Sequence, residues 1–365
     1  MASNYSILIF GASYGSLLAV KLLGAGHDVT LVCRQATAQL INAEGVRVRM
    51  PGASRGEIVE VDSRTLPGHL SAVPPVDVDG AECDLVVLAM QEPQYREREL
   101  RAALARVARA KVACLSIMNM PPLPYLARVP ALDVAALRGA YSDAAAWDDF
   151  DPALVTLCSP DPQAFRPADE KPNVLQVRLA TNFKTATFAS DAHNAMLETL
   201  QKDIENARFP VGDASIALPV KLKVHASLHV PFAKWSMLLA GNYRCVQPDG
   251  MRSIATAIHG EPEQARTVYE WVAALCKALG ARDEDLVPFD KYAAAATALT
   301  APSSAARALA AGNIHIERVD RLVQTIAANR GMRLDEVDRT VEAVDAWVAS
   351  NRRKQDERNA ERAAA

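Results

Sequence analysis

The sequence predicts an α/β fold, in which a doubly wound, mostly parallel sheet precedes an all-helical C-terminal domain. In roughly the first third of the chain, strand-like and helix-like segments alternate, as is typical of a sheet covered by helices on both faces. A glycine-containing turn at residues 11–16 joins the first strand to the first helix. Beyond about Leu218, apolar residues follow helical spacing and no strand is predicted.

Each element follows from its pattern of apolar and turn residues. Strands are predicted at 5–10, 28–33, 46–50, 58–61, 84–90 and 111–117, and helices at 15–25, 36–43 and 93–110. In the proline-rich middle we expect strands at 134–139, 154–158 and 175–188, then a helix at 191–206 with Asp191 as its N-cap. Helices follow near 219–242, 262–279, 283–299, 303–311, 315–330 and 335–350. We therefore predict a Rossmann domain at 1–215, a helical substrate and dimerisation domain at 216–350, and a charged tail at 351–365.

Composition narrows the class of protein. The chain has 365 residues and a net charge of −3, which gives no basic excess for binding nucleic acid. It has no apolar run of membrane-spanning length and no signal-peptide pattern, so we expect a cytoplasmic protein. Six widely spaced cysteines, without a C-x-x-C pair, indicate buried thiols in a reducing compartment.

The glycine turn predicts a dinucleotide site. It reads Gly11-Ala12-Ser13-Tyr14-Gly15-Ser16, with serine where a G-x-G-x-x-G turn has its second glycine. Such a turn lets backbone N–H groups and a helix N-terminus approach a pyrophosphate. Arg34 directly follows the second strand, where the adenosine ribose is read, and an arginine there favours the 2′-phosphate of NADP(H). The alternative for Arg34 is a solvated loop residue.

Several motifs together resemble the ketopantoate reductase family. The segment GASYGSLLAVKLLGAGHDVTLVCR is similar to the family's opening, G-A-G-x-x-G-S followed by L-x-x-x-G-H-x-V-x-x-x-x-R, with one residue fewer in the turn. CDLVVLAM and VACLSIMN resemble the next two strands, and Asn119 falls on the asparagine after the second. AKWSMLLAGNY resembles the family's K-L-x-x-N-x-x-x-N helix through Lys234 and Asn242. PSSAARALAAGNIHIE resembles a P-S-M segment ending in glutamate, through Ser304 and Glu317.

The resemblance implies a two-domain, 6-phosphogluconate-dehydrogenase-like architecture with the active site in the cleft between the domains. It implies that Lys234 is the general acid, and that Glu317 orients the lysine or binds a substrate hydroxyl. The implied substrate ligands are Asn119, Asn242, Ser303 and Ser304. The implied cofactor site comprises Gly11, Ala12, Ser13, Tyr14, Gly15, Ser16, Arg34, Gln91 and Asn119. A homodimer through the helical domain is also implied.

Simpler roles remain open for these residues. Lys234 could lie on a solvated helix face, Glu317 could complement a helix dipole, and the two serines could be helix caps. Asn242 could simply end a helix. His225 and His229 have i, i+4 spacing, but no carboxylate or third ligand accompanies them, so no metal site is predicted.

The predicted reaction is NADPH-dependent reduction of a ketone to an alcohol. The substrate class is a 2-oxo acid, either 2-dehydropantoate or a larger analogue. Gln91 stands where the family has a lysine, Leu238 replaces an asparagine, and the middle region is longer, all of which favour a larger or less polar substrate. Two alternatives are an opine-type dehydrogenase that reduces an imine, and a non-catalytic NADP(H)-binding sensor or scaffold.

Overall fold

The computed structural model describes residues 4–52, 56–130, 132–211 and 214–364. The chain divides into two compact units. The N-terminal unit comprises Met1–Arg128 and Ala145–Pro231, and the C-terminal unit comprises Val129–Ala144 and Phe232–Ala365. The division therefore falls later than the 215/216 boundary expected from the sequence, and a short stretch of the proline-rich middle belongs to the C-terminal unit.

The strands and helices are numbered along the chain. The strands are β1 (Ser6–Phe10), β2 (Asp28–Val32), β3 (Arg47–Pro51), β4 (Ile58–Asp62), β5 (Leu70–Val73), β6 (Leu85–Leu88), β7 (Ala113–Ile117), β8 (Val155–Ser159), β9 (Gln163–Phe165), β10 (Val174–Leu179), β11 (Phe183–Ala186), β12 (Phe209–Val211), β13 (Ala214–Ile216), β14 (Leu222–His225), β15 (Val246–Gln247) and β16 (Gly250–Met251). The helices are α1 (Gly15–Gly24), α2 (Gln35–Glu44), α3 (Arg98–Ala110), α4 (Leu123–Leu126), α5 (Val134–Leu137), α6 (Asp191–Asn206), α7 (Ala233–Met237), α8 (Ile254–His259), α9 (Pro262–Ala278), α10 (Phe289–Ala296), α11 (Ser304–Ala310), α12 (Val319–Ala328) and α13 (Asp335–Ala364). None of these described helices has the length and apolar character needed to cross a bilayer.

The N-terminal unit is built on an eight-stranded sheet in the order β14-β11-β8-β7-β6-β1-β2-β5. Neighbouring strands are parallel except for β8 and β11. The strands β6 and β7 are buried throughout, as expected for parallel strands covered on both faces. The α/β class and the strands predicted at 5–10, 28–33, 84–90 and 111–117 are therefore confirmed, apart from a residue or two at their ends.

A second sheet in this unit has the order β4-β3-β10-β9. The predicted pair at 46–50 and 58–61 is present as the antiparallel strands β3 and β4. The single strand expected at 175–188 is two strands, β10 in this sheet and β11 in the large one. The proline-rich middle thus contributes to both sheets.

Several local predictions were wrong. The strand expected at 134–139 is the helix α5 followed by a 3₁₀ turn. The first part of the helix expected at 219–242 is β14, which extends the large sheet beside β11. The N-cap of α6 is Ser190, while Asp191 is the first helical residue. The charged tail continues α13 as regular helix to Ala364.

The C-terminal unit is helical, as predicted, apart from the two-residue strands β15 and β16. Its central helix changes geometry at one point. Residues Ala233–Met237 form α7, and Leu238–Asn242 form a π-helical turn that we call the π turn. Turns of this type break the regular i→i−4 hydrogen-bond ladder and occur often at functional sites.

Four side chains donate hydrogen bonds to carbonyl oxygens of the π turn and of the residue before it. Tyr292 Oη donates to the Met237 carbonyl at 3.1 Å, and Ser303 Oγ to the Asn242 carbonyl at 2.7 Å. Arg244 donates to Ala240, and the Cys245 thiol donates to Gly241. Because buried carbonyls without donors are costly, these contacts stabilise the irregular geometry.

A buried lysine joins α1 to the loop before β14. Lys21 is 1% exposed, and its Nζ donates to the carbonyls of Leu218 at 3.1 Å and Pro219 at 3.0 Å. The ammonium also lies 4.7 Å from the centre of the Phe209 ring. Burial, reinforced by nearby Lys221, lowers the pKa of Lys21 to about 7. The neutral amine can still donate to both carbonyls.

We expect Lys21 to make the free energy of unfolding increase with pH above neutrality. Between its folded pKa of about 7 and an unfolded pKa of about 10.4, the unfolded chain binds more protons, so stability rises with pH. Between roughly pH 7.5 and 9, the free energy of unfolding of the wild type should increase by about 2 kcal/mol more than that of Lys21→Met. Urea denaturation across this range measures the difference. The control is Lys202→Met, which changes an exposed lysine. If the free energies of unfolding of the wild type and Lys21→Met changed in parallel with pH, the lowered pKa would be contradicted.

The contact between Gly241 and Tyr292 gives a second prediction. A Cβ on Gly241 would lie 2.1 Å from Tyr292 Oη, so we expect Gly241→Ala to cost about 2 kcal/mol of stability. In a Tyr292→Phe background, which removes the hydroxyl, the same change should cost about 1 kcal/mol less. A double-mutant cycle from urea denaturation tests this. Gly139→Ala, where a Cβ meets nothing within 4 Å, is the control, and simple additivity would refute the coupling.

Candidate active site

Four adjacent parallel strands, in the order β7-β6-β1-β2, end at one edge of the large sheet. Gly11 follows β1 and Gln91 lies three residues beyond β6, while Arg34 and Asn119 each lie two residues beyond β2 and β7. The chain turns to opposite sides of β1 to form β2 and β6, so this edge is a topological switch point. Ligands of open α/β sheets bind at such points, outside the carboxyl ends of the strands.

The glycine turn fits tightly between β1 and the end of β6. Gly11 has φ of +106°, and a Cβ there would lie 2.8 Å from the Ala89 carbonyl oxygen and 2.6 Å from Met90 Cγ. A Cβ on Gly15 would lie 2.7 Å from Ile9 Cγ2. Both positions therefore exclude side chains, one for the turn itself and one for the contact between α1 and the sheet.

The turn offers a row of backbone donors. Among the described residues, the N–H groups of Ala12, Ser13 and Tyr14 make no hydrogen bond within the protein, whereas those of Ser16 and Leu17 bond back to the turn. The Ser16 hydroxyl is buried and donates to the Ala12 carbonyl at 2.6 Å. Backbone donors at the start of a helix are suited to phosphate oxygens, so these residues fit a dinucleotide pyrophosphate.

Tyr14 attaches the turn to the middle region of the chain. Its hydroxyl donates to the Pro162 carbonyl at 2.7 Å, and its ring meets Phe183 edge-on with 5.9 Å between centres. Burial, together with the nearby Cys158 and Asp161, raises the pKa of Tyr14 well above its usual value, so the phenol remains a donor. The turn therefore presents backbone to the edge of the sheet and uses its large side chain for packing.

The remaining cofactor candidates lie at the surface of this edge. Arg34 is the exposed N-cap residue of α2, which has no side-chain cap and no acidic residue in its first turn. Within the described chain its guanidinium forms no ion pair. Gln91 is exposed and begins a 3₁₀ turn through a bond from its backbone N–H to Gln94 Oε1 at 3.2 Å. Asn119 is half-buried.

Lys234 lies in the first turn of α7 and is half-buried. Phe232 and Trp235 on either side are fully buried and stack at 4.1 Å between ring centres, which fixes the backbone around the lysine. Eight regular α-helical steps would rotate Asn242 roughly 80° away from the face that carries Lys234. The π turn holds more residues per turn, so it brings Asn242 back towards that face.

Ser303 links Asn242 to α11. Its hydroxyl caps this helix by accepting from the Ala306 N–H at 3.1 Å, and it donates to the Asn242 carbonyl. Ser303 is 2% exposed, whereas Ser304 is exposed in the first turn of α11. The cap predicted as an alternative for this serine pair is thus present at Ser303.

Glu317 is joined to the same turn through Tyr243. The Tyr243 hydroxyl donates to the Glu317 carbonyl at 2.5 Å and accepts from the Val319 N–H at 3.0 Å. Glu317 is buried just before α12. Hydrogen bonds therefore link Ser303 to the end of the π turn, and link the Glu317 backbone to Tyr243, the residue that follows this turn.

Sequence reasoning missed the tyrosines that support this arrangement. Tyr243 joins the π turn to Glu317, and Tyr292 covers Gly241 and binds the Met237 carbonyl. The sequence signal that could have indicated them is Gly241, because a glycine inside a helical pattern often marks close packing. Leu238 is buried in this turn.

The histidine pair does not share a helix face. His225 ends β14, whereas His229 lies in the loop that follows. In the part of the chain that the structure describes, no group of three or more histidine, cysteine or acidic residues is arranged to hold a metal ion. All six cysteines are free thiols, and four of them are buried.

Comparison with known families and structures adds independent information. Residues 7–119 match the model of the family described as ketopantoate reductase PanE/ApbA. This range contains the glycine turn, Arg34, Gln91 and Asn119. Sequence comparison with curated proteins gave no match.

Solved structures resemble this one over nearly the whole chain. A 2-dehydropantoate 2-reductase from Methylococcus capsulatus is 16% identical, with a TM-score of 0.63 over 95% of this chain and 97% of that chain. D-mandelate dehydrogenase, in a ternary structure with NADH and anilino(oxo)acetate, is 15% identical, with a TM-score of 0.62 over 95% and 99%. A dimeric ketopantoate reductase from Staphylococcus aureus is 10% identical, with a TM-score of 0.60 over 95% and 99%.

At these identities the structural likeness establishes the fold, and the sequence match establishes the kinship of the segment that carries the glycine turn. The strand order, the turn and the helical C-terminal unit agree with both findings. Residues 7–119 are therefore similar to the ketopantoate reductase family, whose members are oxidoreductases acting on CH–OH and C=O groups, and the chain as a whole shares the fold of solved 2-dehydropantoate 2-reductases.

Proposed function

We propose that this protein reduces a 2-oxo acid to the 2-hydroxy acid with NADPH as hydride donor. The observation that carries the proposal is the glycine turn at the switch point of the sheet, inside the segment that matches the family model. There, two positions exclude side chains and three backbone N–H groups are available to a ligand. A non-catalytic sensor would not need the polar residues that surround the π turn.

The N-terminal unit would bind the cofactor. The pyrophosphate would lie over the backbone of residues 12–16, at the start of α1. Arg34 would pair with the 2′-phosphate of NADP(H), and Gln91 and Asn119 would contact the cofactor near the ends of β6 and β7. When bound, the nicotinamide supplies the hydride for the reduction.

The C-terminal unit would supply the proton and orient the substrate. Lys234 would donate a hydrogen bond to the carbonyl oxygen and then a proton to the developing alkoxide. Glu317 would orient the lysine or bind a substrate hydroxyl. Asn242, Ser304 and Asn119 would bind the carboxylate or another polar end. The Ser303 hydroxyl is already used by the cap and by Asn242, so we propose that Ser303 positions Asn242.

The proposed substrate class rests on the ligand of one solved structure of similar fold and on one residue of this chain. The mandelate dehydrogenase of similar fold was solved with anilino(oxo)acetate, whose name denotes an oxo group beside a carboxylate. Leu238 removes a polar side chain close to Lys234 in sequence. We therefore propose a 2-oxo acid that is larger or less polar than ketopantoate.

We further propose a homodimer through the helical unit and a cytoplasmic location. The ketopantoate reductase of similar fold from Staphylococcus aureus is dimeric, which supports the first proposal. Six free thiols suit a reducing compartment and support the second.

A panel of carbonyl compounds tests the reaction. We expect the purified protein to oxidise NADPH with 2-oxo acids alone, and to prefer those with bulky apolar groups over ketopantoate. Absorbance of the reduced cofactor gives the rates, and simple aldehydes serve as controls. A strict requirement for an added amino acid would indicate imine reduction. Tight NADPH binding without turnover on any carbonyl would indicate a binding protein.

Removal of the Lys234 ammonium tests the mechanism. We expect Lys234→Ala to lower kcat by at least about 100-fold, because general acid catalysis is lost, while NADPH binding stays within about twofold. Steady-state kinetics and cofactor titration measure both effects. Lys291→Ala, an exposed lysine of the same unit, should behave as wild type. A kcat within about tenfold of wild type, or about 1.4 kcal/mol of barrier, would exclude Lys234 as the acid.

A further inference from the structure

We propose that Arg166 is a second ligand for the 2′-phosphate of NADP(H), acting together with Arg34. The inference rests on the proposed binding of that cofactor and names a residue of the middle region, outside the segment that matches the family model. It makes Arg166 a determinant of the preference for NADPH over NADH.

The middle region is fixed beside the cofactor edge by contacts on two sides. Pro162, directly before β9, accepts the hydrogen bond from Tyr14 in the glycine turn. Ala164, in β9, packs against the same hydrophobic core as Tyr14 and Cys33. Arg166 follows β9 directly, and Arg34 follows Cys33, so two anchored segments each end in an arginine.

The two arginines are close enough for their charges to interact. Arg166 is exposed at the surface, and partial desolvation lowers its pKa. Nearby Cys33 opposes this shift, and repulsion from Arg34 adds to it. Across the described residues, neither arginine forms an ion pair or a side-chain hydrogen bond. Like charges held together without a counter-charge are unfavourable, so the pair is suited to an anion.

Another arginine of the same small sheet shows the contrast. Arg49, in β3, pairs with Glu60 at 2.7 Å and with Glu170 at 2.6 Å, so its charge is neutralised within the protein. Within residues 4–52, 56–130, 132–211 and 214–364, no carboxylate forms an ion pair with Arg34 or Arg166. The charges of these two arginines are therefore not neutralised in the way that the charge of Arg49 is.

The chemistry of the anion follows from its location. The end of β2 is where the adenosine ribose of a dinucleotide is read, and α2 begins there without a side-chain cap. A phosphate monoester carries a charge of about −1.5 to −2 and three acceptor oxygens, which two guanidinium groups and a helix N-terminus can share. The neutral 2′-hydroxyl of NADH would gain little from the same groups.

The test measures cofactor binding in full-length variants. Dissociation constants for NADPH, NADH, adenosine 2′,5′-bisphosphate and 5′-AMP are compared for wild type, Arg166→Ala, Arg34→Ala and the double variant. We expect Arg166→Ala to weaken NADPH and the bisphosphate by about tenfold or more, equivalent to about 1.4 kcal/mol, with NADH and 5′-AMP unchanged. Unchanged NADH binding also shows that the variant is folded. The matched control is Arg178→Ala, which changes an exposed arginine on neighbouring β10. It should change neither the preference for NADPH over NADH nor the preference for the bisphosphate over 5′-AMP.

The outcomes separate this inference from the function on which it rests. If Arg34→Ala abolishes the preference for NADPH and Arg166→Ala leaves it intact, the role of Arg166 is overturned and NADP binding stands. If the wild type shows no preference for NADPH, both assignments fall. An equal loss of NADPH and NADH binding in Arg166→Ala would point to packing and also overturn the proposal.

Discussion

The close approach of the first turn to the end of β6 is the constraint on which the proposed cofactor site depends. Only a residue without a side chain can occupy position 11, because a Cβ would lie 2.8 Å from the Ala89 carbonyl oxygen. This contact places the turn between the ends of β1 and β6. At this point the chain passes to opposite sides of β1 to form the two neighbouring strands. The turn is one residue shorter than the family pattern, yet Gly11 and Gly15 keep both close contacts. Shortening therefore changes residues 12–14, whose N–H groups make no hydrogen bond among the described residues.

The C-terminal unit depends on the π turn in a similar way. A π turn leaves carbonyls out of the regular ladder, and an unsatisfied buried carbonyl costs about 1–3 kcal/mol. Arg244 and Cys245, just after the turn, supply two of the donors, and Tyr292 and Ser303, which are distant in sequence, supply the others. The same contacts fix the position of Asn242 relative to Lys234. The stability of this unit and the placement of its polar residues thus have one physical origin.

The sequence predicted those features that short-range patterns encode. Apolar runs located the central strands, and the glycine turn followed from steric rules. β14 was missed because four residues of weak alternation cannot be distinguished from helix, and its pairing with β11 is a long-range contact. The π turn was missed because apolar spacing in a helix changes little over a single irregular turn. Arg166 gave no signal, since its relation to Arg34 exists only in the folded chain.

The length of the middle region has a structural explanation that differs from the one suggested by sequence. Extra residues there favoured an enlarged substrate site. The fold uses them otherwise: β8 and β11 widen the large sheet, β9 and β10 build the small one, and α5 packs against α12 in the C-terminal unit. Pro162, at the start of the segment that leads to Arg166, is hydrogen-bonded to the glycine turn through Tyr14. Chain length in this region is thus no measure of substrate size. Leu238, four residues from the proposed general acid Lys234, becomes the stronger argument for a less polar substrate.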